Sequence, residues 1–343
     1  MSPDEAAAYL AEIAYHLRHK EDPHRARAFS KVAASVLRDR PDLDALHRAG
    51  KLESLEGVGA GIAKVLRELV AENRSAYLEK LREESGEPSL VAPQLTPLVE
   101  QGYMGDLHTH TDWSDGGASV LEMAQAAQAR GYRYLGITDH SPRITVVNGL
   151  GPERLAGQRR VIDEAQRRLG GAFTILQGIE VDILPDGSLD LDDDTLASLD
   201  LVIASPHLQL RMEAAPMTER MLRAVEHPHV DIIGHPTGRR PGSRAGATYD
   251  FEKVFAAAAR TGVLMEIDCD PARMDLSPEL GKLALEKGCR FSLDSDAHYV
   301  DQFVYVDLAL WMTRKAGIPT ERIVNWLPVE GLRKEFAQWP PSG

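Results

Sequence analysis

The sequence predicts an α/β protein in which a barrel or sheet of parallel strands follows a smaller all-helical domain. Two observations predict it. Residues 1–84 carry apolar side chains at helical spacing, and from Tyr103 onward short apolar segments alternate with amphipathic helical ones. A chain of 343 residues, 43% of them hydrophobic, is long enough for two domains. We expect a helical domain at 1–84, a linker at 85–103 and an α/β domain at 104–343.

The composition restricts the class of protein. A formal net charge of −13 argues against a protein that coats nucleic acid by charge alone, and residues 1–84 are almost neutral, with 14 basic and 15 acidic side chains. No apolar run reaches the ~18 residues that a membrane span needs. Residues 1–10 lack the basic start of a signal peptide. Two cysteines, Cys269 and Cys289, imply no disulfide framework, so we expect a cytoplasmic protein.

The first domain contains a glycine hairpin between two predicted helical segments of residues 52–66. Gly57, Gly59 and Gly61 allow a tight turn and leave free amides at the start of the next helix, which suits a phosphate. The run resembles a helix-hairpin-helix, a module that holds the DNA backbone without reading its sequence. We take these glycines and Lys64 as candidate DNA-binding residues. The alternative is an ordinary pair of helices joined by a glycine turn, and the spacing alone leaves both open.

The second domain alternates strands and helices. The predicted strands are residues 134–138, 173–177, 201–204, 231–234, 263–267 and 290–293. The predicted helices between them are residues 120–130, 152–169, 217–226, 251–260 and 278–287. This alternation is typical of a parallel α/β barrel or sheet.

Chemically active side chains follow these strands. His108 and His110 are one residue apart in an extended segment, so their rings point to the same side, and Asp115 follows just past a turn. The later strands are followed by Asp139, His140, Glu180, Asp182, His207, His235, Asp294, Asp296 and His298. Each could be a solvated loop residue, but the carboxyl ends of strands in such barrels converge on one site. We therefore expect a site with several metal ions there.

The donor types indicate the chemistry. Imidazoles and carboxylates without thiolates suit zinc, manganese or iron(II). A carboxylate can bridge two ions and a histidine cannot, so Glu180 is the expected bridge. Paired ions polarise a phosphoryl oxygen and activate water, which predicts phosphoester hydrolysis with no protein nucleophile. His207 and His298 are candidate proton donors to the leaving group where they are not fully engaged as ligands.

Arginines supply a second requirement of phosphoester chemistry. Arg239 and Arg273 each follow a strand that leads to the expected site. A planar guanidinium matches two phosphate oxygens at once, so we take both as candidate substrate phosphate ligands. For Arg240 and Arg244, solvated loop positions are an equally good interpretation.

Together these segments resemble a known family. The PHP (polymerase and histidinol phosphatase) superfamily, and in particular the PHP domain of bacterial family-X DNA polymerases, is similar to this chain over about residues 104–335. The motifs that carry the resemblance are residues 106–110, 114–116, 137–141, 178–184, 205–207, 233–239 and 296–298.

The resemblance implies a distorted (β/α)₇ barrel with three divalent metal ions, Mn²⁺ or Zn²⁺, with Fe²⁺ as a further alternative. It implies one ion bound by His108, His110, Glu180 and Asp296. It implies a second bound by Glu180, His207 and His235, and a third bound by Asp115, His140 and His298. Family members include phosphatases and 3′-5′ exonucleases.

Residues 1–84 are similar to the N-terminal helical domain of the same polymerases, but the chain departs from them elsewhere. The short segment 85–103 occupies the place of the polymerase palm, so polymerase activity is not expected. Gly61 and Val65 replace lysines that lyase-active relatives use after the hairpin. The run Asp268-Cys269-Asp270 replaces an asparagine-containing one.

We therefore expect a metal-dependent phosphoesterase that acts on DNA 3′ ends, as a 3′-5′ exonuclease or 3′-phosphatase. The alternative is a phosphatase of small phosphorylated metabolites of the histidinol-phosphatase type. A non-catalytic DNA-end binder with structural metals is a third hypothesis, against which the intact ligand set argues.

Overall fold

The computed structural model describes residues 1–20, 22–85, 98–241 and 243–336. The chain divides into two compact units. The helical unit comprises Met1–Thr96 with Arg240–Ala245 and Asp307–Ala309; the barrel unit comprises Pro97–Arg239, Gly246–Val306 and Leu310–Gly343. Most of the predicted linker lies outside the described residues, and its described part contains the 3₁₀ turn Leu98–Gln101.

The helical unit contains five α-helices in its described part: α1 (Pro3–His19), α2 (Pro23–Asp39), α3 (Leu43–Arg48), α4 (Ala60–Glu72) and α5 (Ala76–Ser85). Asp22 and Asp42 precede α2 and α3, and their side chains accept hydrogen bonds from backbone amides of the first turn. Such caps satisfy amides that have no partner within the helix. The long helices α1 and α2 bury an alanine-rich seam that includes Ala6, Ala7 and Ala26.

The hairpin differs from the sequence prediction on one side. The segment before the glycines forms only a 3₁₀ turn, Leu52–Ser54, and not a full helix. Leu55 is extended, with φ −70° and ψ 143°, which ends the turn. Gly57 then takes φ +77°, a conformation that favours glycine, and α4 begins at Ala60.

The barrel unit contains seven parallel strands within the described residues, in the order in which they occur along the chain: β1 (Gly105–Asp106), β2 (Tyr134–Ile137), β3 (Thr174–Asp182), β4 (Leu201–Ser205), β5 (Ile232–Ile233), β6 (Leu264–Asp268) and β7 (Phe291–Asp294). A parallel bridge between Thr109 and Ala297 joins the segments that follow β1 and β7, and brings the sheet close to a closed barrel. The predicted (β/α)₇ fold is confirmed.

The helices that connect successive strands are α6 (Val120–Ala129), α7 (Pro152–Leu169), α8 (Asp193–Ala197), α9 (Ala214–Val225), α10 (Phe251–Thr261) and α11 (Pro278–Glu286). Two more helices, α12 (Tyr305–Ala316) and α13 (Val329–Glu335), follow β7. Apolar strand side chains such as Leu176, Ile203 and Ile232 form a core with Val324 and Leu332. Burying a side chain of this size stabilises the fold by about 1.5–3 kcal/mol.

Strand β3 is longer than the sequence predicts. We expected it to end at residue 177, but it continues to Asp182. It pairs with β2 through Gln177 and with β4 from Gly178 onward, so it is shared between two neighbours along its length. A Cβ on Gly178 would lie 2.7 Å from the Leu201 carbonyl oxygen, which explains the glycine at the change of partner. As a result Glu180 lies within a rigid strand and not in a loop.

Candidate metal centre

Nine side chains meet at the carboxyl edge of the barrel, and we call them the ligand cluster. They follow or end six of the strands: His108, His110, Asp115, His140, Glu180, His207, His235, Asp296 and His298. Asp115 and His298 have side chains that are 29% and 25% exposed, and the other seven are at most 9% exposed. The ligand cluster is therefore buried except at Asp115 and His298, where it is open to solvent.

One group surrounds Glu180 and Asp296. His108 Nε2 lies 3.6 Å from Glu180 Oε1 and 3.7 Å from Asp296 Oδ1. His110 Nε2 lies 3.7 Å from Glu180 Oε2 and 3.0 Å from Asp296 Oδ1. Four donors about 2.1 Å from a tetrahedral ion are about 3.4 Å from one another. These separations are close to that value, so the four side chains could hold one ion.

A second group meets at the other side of Glu180. Glu180 Oε1 lies 3.1 Å from His207 Nε2 and 2.7 Å from His235 Nε2. His140 Nδ1 lies 2.7 Å from Glu180 Oε2, and His140, Glu180 and His207 form a possible metal-binding group by the spacing of their donor atoms. Glu180 thus lies between the two groups.

A third group surrounds Asp115. Its carboxylate oxygens lie 3.7 Å from His140 Nε2, 3.5 Å from His298 Nε2 and 4.0 Å from His110 Nδ1. The family resemblance assigned His110 and His140 to one ion each. In the structure each of these histidines belongs to two groups of potential ligands, because its two ring nitrogens face different carboxylates.

Several buried atoms of the ligand cluster have no hydrogen-bond partner and could bind a cation. His108 Nε2, His110 Nε2, His207 Nε2 and Glu180 Oε2 are buried and have no hydrogen-bond partner. A buried polar atom without a partner costs about 1–3 kcal/mol, so such atoms are rarely left together in one place. Imidazole nitrogens and carboxylate oxygens that converge in this way suit a divalent transition metal.

The charges of the cluster outweigh the effect of burial on the pKa of Glu180 and of His207, but not on that of His110 and His235. Burial alone would raise the pKa of Glu180, but His207 and His140 lower it well below its usual value. Burial lowers the pKa of His207, yet Glu180 and Asp182 raise it to about 9. Burial lowers the pKa of His110 and of His235 to about 3. Without metal, the cluster therefore holds ionised carboxylates beside both charged and neutral imidazoles.

His298, near the open side of the cluster, behaves like His207. Burial would lower the pKa of its ring, but the Asp115 carboxylate and the charge of Asp296 raise it to about 9. Its Nδ1 lies 2.8 Å from the Asp296 carbonyl oxygen. His298 is the more exposed of the two histidines that the sequence suggests as proton donors.

Three buried carboxylates that were not predicted as metal ligands contact the predicted ligands or the loop that carries Asp115. Glu266 Oε1 lies 2.6 Å from His108 Nδ1, and Asp182 Oδ1 lies 3.1 Å from His207 Nδ1. Asp139 accepts hydrogen bonds from Thr111 and Ser114 in the loop that carries Asp115. The sequence contained a signal for two of them, because side chains two residues apart on a strand point to the same face. On β3 Asp182 shares the face of Glu180, and on β6 Glu266 shares the face of Asp268.

The two predicted phosphate-binding arginines lie on adjoining loops. Arg273 is 7% exposed, and its Nε lies 3.2 Å from Asp296 Oδ2 and 3.4 Å from Asp268 Oδ2. Its Nη1 is buried without a hydrogen-bond partner. Arg239 is half-buried, and its Nε donates to the Arg273 carbonyl oxygen at 3.2 Å. Arg273 therefore adds positive charge directly beside the carboxylates of the cluster.

The predicted DNA-binding residues line one groove of the helical unit. Gly57, Gly59, Gly61 and Lys64 border a cavity of about 480 Å³ together with Phe29 and Tyr77. A Cβ on Gly59 or Gly61 would meet no atom within 4 Å, so packing does not require glycine at either position. Lys64 is 73% exposed.

Such donors at the carboxyl edge of a parallel α/β barrel define a class of protein, the metal-binding hydrolases built on barrels. Comparison with known families is more specific. Residues 106–268 match the PHP domain, and residues 1–75 match a helix-hairpin-helix domain. The chain belongs to the PHP domain family, and within it is a phosphoester hydrolase.

Two relatives illustrate the range of the family. The chain is 40% identical over 243 residues to the DNA polymerase/3'-5' exonuclease PolX of Bacillus subtilis, a match that covers 71% of this chain but only 42% of the relative. It is 32% identical over 231 residues to a probable phosphatase of Thermoanaerobacter sp., a match that covers 64% of this chain and 89% of that protein. The chain thus spans less than half of the first relative and most of the second.

Among solved structures, a histidinol phosphate phosphatase from Lactococcus lactis, complexed with zinc, L-histidinol and phosphate, is similar with a TM-score of 0.46 and 16% identity, over 63% of this chain and 95% of that one.

Across the described residues of the present chain, no helix combines the length and the apolar character that a bilayer crossing requires.

Proposed function

We propose that this protein is a metal-dependent phosphoesterase that removes a nucleotide or a phosphate from DNA 3′ ends. The observation that carries the proposal is the convergence of unpaired histidine and carboxylate atoms around Glu180 in a chain that also has a helix-hairpin-helix domain. The likeness to a relative named as a 3'-5' exonuclease supports the choice of substrate.

We propose the assignment of ligands that the family resemblance implies, and the distances within the ligand cluster support it. His108, His110, Glu180 and Asp296 would hold one ion, and Glu180 would share a second with His207 and His235. Asp115, His140 and His298 would hold a third. Divalent metals at such a centre polarise a phosphoryl oxygen and lower the pKa of a bound water. We propose Mn²⁺ or Zn²⁺, since both accept these donors.

The side chains around the cluster would do the remaining work. Arg273 is fixed beside Asp296 and would direct its unpaired Nη1 to a phosphate oxygen, with Arg239 at the outer side. His298, with a pKa raised to about 9, carries a proton at neutral pH in the metal-free protein. We propose His298 or His207 as the donor of a proton to the leaving oxygen only in a state in which that ring does not bind an ion, and the more exposed His298 is the better placed.

The glycine hairpin would bind the DNA backbone. Gly59 precedes α4 and offers no side chain to cap its first amides. Because Gly59 and Gly61 face open space, a phosphate can approach these amides more closely than it could past a methyl group. Lys64 adds a positive charge to the same wall of the groove.

The alternative is a phosphatase of small metabolites of the histidinol-phosphatase type. The likeness to a probable phosphatase over 89% of that protein favours it, because that match needs little beyond the barrel. In this case the helix-hairpin-helix domain would have no role in catalysis.

A direct comparison of substrates tests the two proposals. The Mn²⁺-loaded protein is incubated with 5′-labelled DNA that ends in a 3′-hydroxyl or a 3′-phosphate, and with histidinol phosphate. Shortening or dephosphorylation of the DNA at a higher kcat/KM supports the first proposal, and faster turnover of the metabolite supports the second. The control is Asp296→Asn, which alters a proposed ligand and should abolish the activity of the protein itself. Equal DNA degradation by this variant would indicate a contaminating nuclease.

A further inference from the structure

The carboxylate of Glu266 has a position in the barrel that the proposed ligand set does not explain. Glu266 lies on β6 and is completely buried, and its carboxylate lies within ion-pair distance of His108 in the ligand cluster. A buried carboxylate costs free energy unless it is paired, so the position requires partners of its own.

Those partners are two residues of the cluster from different parts of the chain. Glu266 Oε1 lies 2.6 Å from Nδ1 of His108, which follows β1. Glu266 Oε2 accepts a hydrogen bond from the backbone N–H of His235, which follows β5, at 2.5 Å. One carboxylate therefore binds the ring of one potential metal ligand and the main chain of another.

The contact with His108 fixes a tautomer. When Nδ1 donates its proton to Glu266, Nε2 keeps a lone pair, and this nitrogen faces Glu180 and Asp296. Metal-binding histidines commonly donate their second N–H to a carboxylate, which orients the ring and makes it a stronger ligand.

The contact with His235 holds an unusual backbone. His235 has φ +25°, a conformation that a side chain larger than glycine rarely adopts. The ring Nδ1 of His235 has no hydrogen-bond partner, so the ring is not oriented by a hydrogen bond at Nδ1. The hydrogen bond from the His235 amide to Glu266 is therefore the contact that keeps Nε2 at 2.7 Å from Glu180 Oε1.

Both histidines face the same oxygen of Glu180. His108 Nε2 and His235 Nε2 lie 3.6 Å and 2.7 Å from Glu180 Oε1, and their rings are 5.9 Å apart and stacked at 30°. We propose that Glu266 is a positioning residue that sets the spacing of two neighbouring metal subsites by holding His108 and His235 on either side of the Glu180 bridge. The inference rests on the metal centre of the proposed function.

The test is the metal affinity of Glu266→Gln. Glutamine has the same shape but one acceptor oxygen, so it can keep only one of the two contacts. We expect the affinity for Mn²⁺ or Zn²⁺, measured by calorimetry and by metal content after dialysis, to fall about 10- to 100-fold at two subsites. Excess metal should restore kcat, because all nine proposed ligands remain.

Two further variants keep the test decisive. Glu12→Gln makes the same change at a buried carboxylate of the helical unit and should leave metal affinity unchanged. Glu266→Asp keeps the charge but withdraws the oxygens, and serves if the glutamine variant does not fold. Full metal affinity in a folded Glu266 variant would overturn the proposal.

A measurement on the metal-free protein separates this inference from the proposed function. In ¹⁵N-labelled wild-type protein, His108 Nδ1 should carry a proton that is hydrogen-bonded to Glu266, and Glu266→Gln should change that signal while leaving the His207 signal, which Asp182 controls, in place. Unchanged His108 resonances would refute the role of Glu266. Wild-type protein that binds no metal would instead refute the metal centre itself.

Discussion

The helical unit and the barrel unit both bury carboxylates, but they satisfy them in different ways. In the helical unit, Glu12 is 3% exposed and accepts two hydrogen bonds from Arg82, at 2.7 and 2.8 Å. In the barrel, Glu180 is 1% exposed and is surrounded by histidines, yet its Oε2 has no hydrogen bond. The first arrangement is complete within the protein. The second leaves buried polar atoms without a hydrogen-bond partner, which the proposed metal ions would bind.

The two candidate sites also differ in what they require of their residues. The ligand cluster depends on side chains that the fold brings together from six strands. The glycine hairpin instead depends on having no side chain at positions where a methyl group would meet no protein atom, so that a ligand can approach the backbone. Substitution of a proposed ligand in the barrel should therefore lower the rate of hydrolysis. Substitution in the hairpin should change DNA binding and leave the metal centre intact.

The largest effect is expected for Glu180→Gln. This change removes the charge that the proposed ions share, and metal assistance contributes several kcal/mol to such reactions, so phosphoester hydrolysis should fall by roughly 10³-fold or more. Initial rates at saturating Mn²⁺ measure it. The control Glu12→Gln should keep its kcat. Equal losses in both variants would show that any buried carboxylate matters, and would remove the distinction between the units.

Metal removal should act on the barrel alone. A bound ligand at 100 times its Kd stabilises a protein by about 2.7 kcal/mol, so dialysis against a chelator should lower the melting temperature of the barrel. The tryptophans, at residues 113, 311, 326 and 339, all lie outside residues 1–96. Trp113 and Trp326 lie in the barrel unit, so tryptophan fluorescence follows barrel unfolding, which should return to higher temperature when Mn²⁺ is added back. A trace that chelation does not move would argue against a structural contribution of the ions.

Gly61→Ala should separate binding from stability. The alanine lies near the start of α4 in open space, so the helical unit should gain about 0.5–1 kcal/mol. Loss of one charge-assisted hydrogen bond to a phosphate, which contributes about 1.5–3 kcal/mol, should weaken DNA binding about tenfold or more. Fluorescence anisotropy with labelled DNA measures the affinity. Gly171→Ala, also in open space but in the barrel unit, should leave it unchanged. Tight DNA binding by Gly61→Ala would favour the ordinary helical hairpin.

The smallest effect is expected from pH in the metal-free protein. The pKa of His207 and of His298 is raised to about 9, against about 6.5 in an unfolded chain. The rings of His207 and His298 thus bind more protons in the folded state between these values, and the stability that they contribute should be fully present below about pH 6.5 and decline as pH rises towards 9.

Thermal unfolding of chelated protein at pH 7 and pH 9 measures this decline. Saturating metal should reduce it, because metal ions bind the deprotonated rings. A barrel that becomes more stable from pH 7 to pH 9 without metal would contradict the charge state proposed for the cluster.

Local patterns in the sequence were sufficient for much of this site. The spacing of His108 and His110 and the polar residues after successive strands predicted a site at one barrel edge, and the structure brings all nine predicted ligands together there. Their role as metal ligands remains a proposal. The sequence did not predict that β3 continues through Glu180, because the change of partner at Gly178 depends on Leu201 of a neighbouring strand.

What the sequence determined by itself is therefore the fold class and which side chains meet at the barrel edge, since periodicity and strand-end position are properties of short segments. The tertiary structure decided which atoms face one another. It joined His108 and His235 through Glu266, gave His110 three carboxylate neighbours and His140 two, and placed Arg273 against Asp296. The physical reason is that these contacts depend on the register and closure of the barrel. Register and closure are determined jointly by residues that are far apart in the chain.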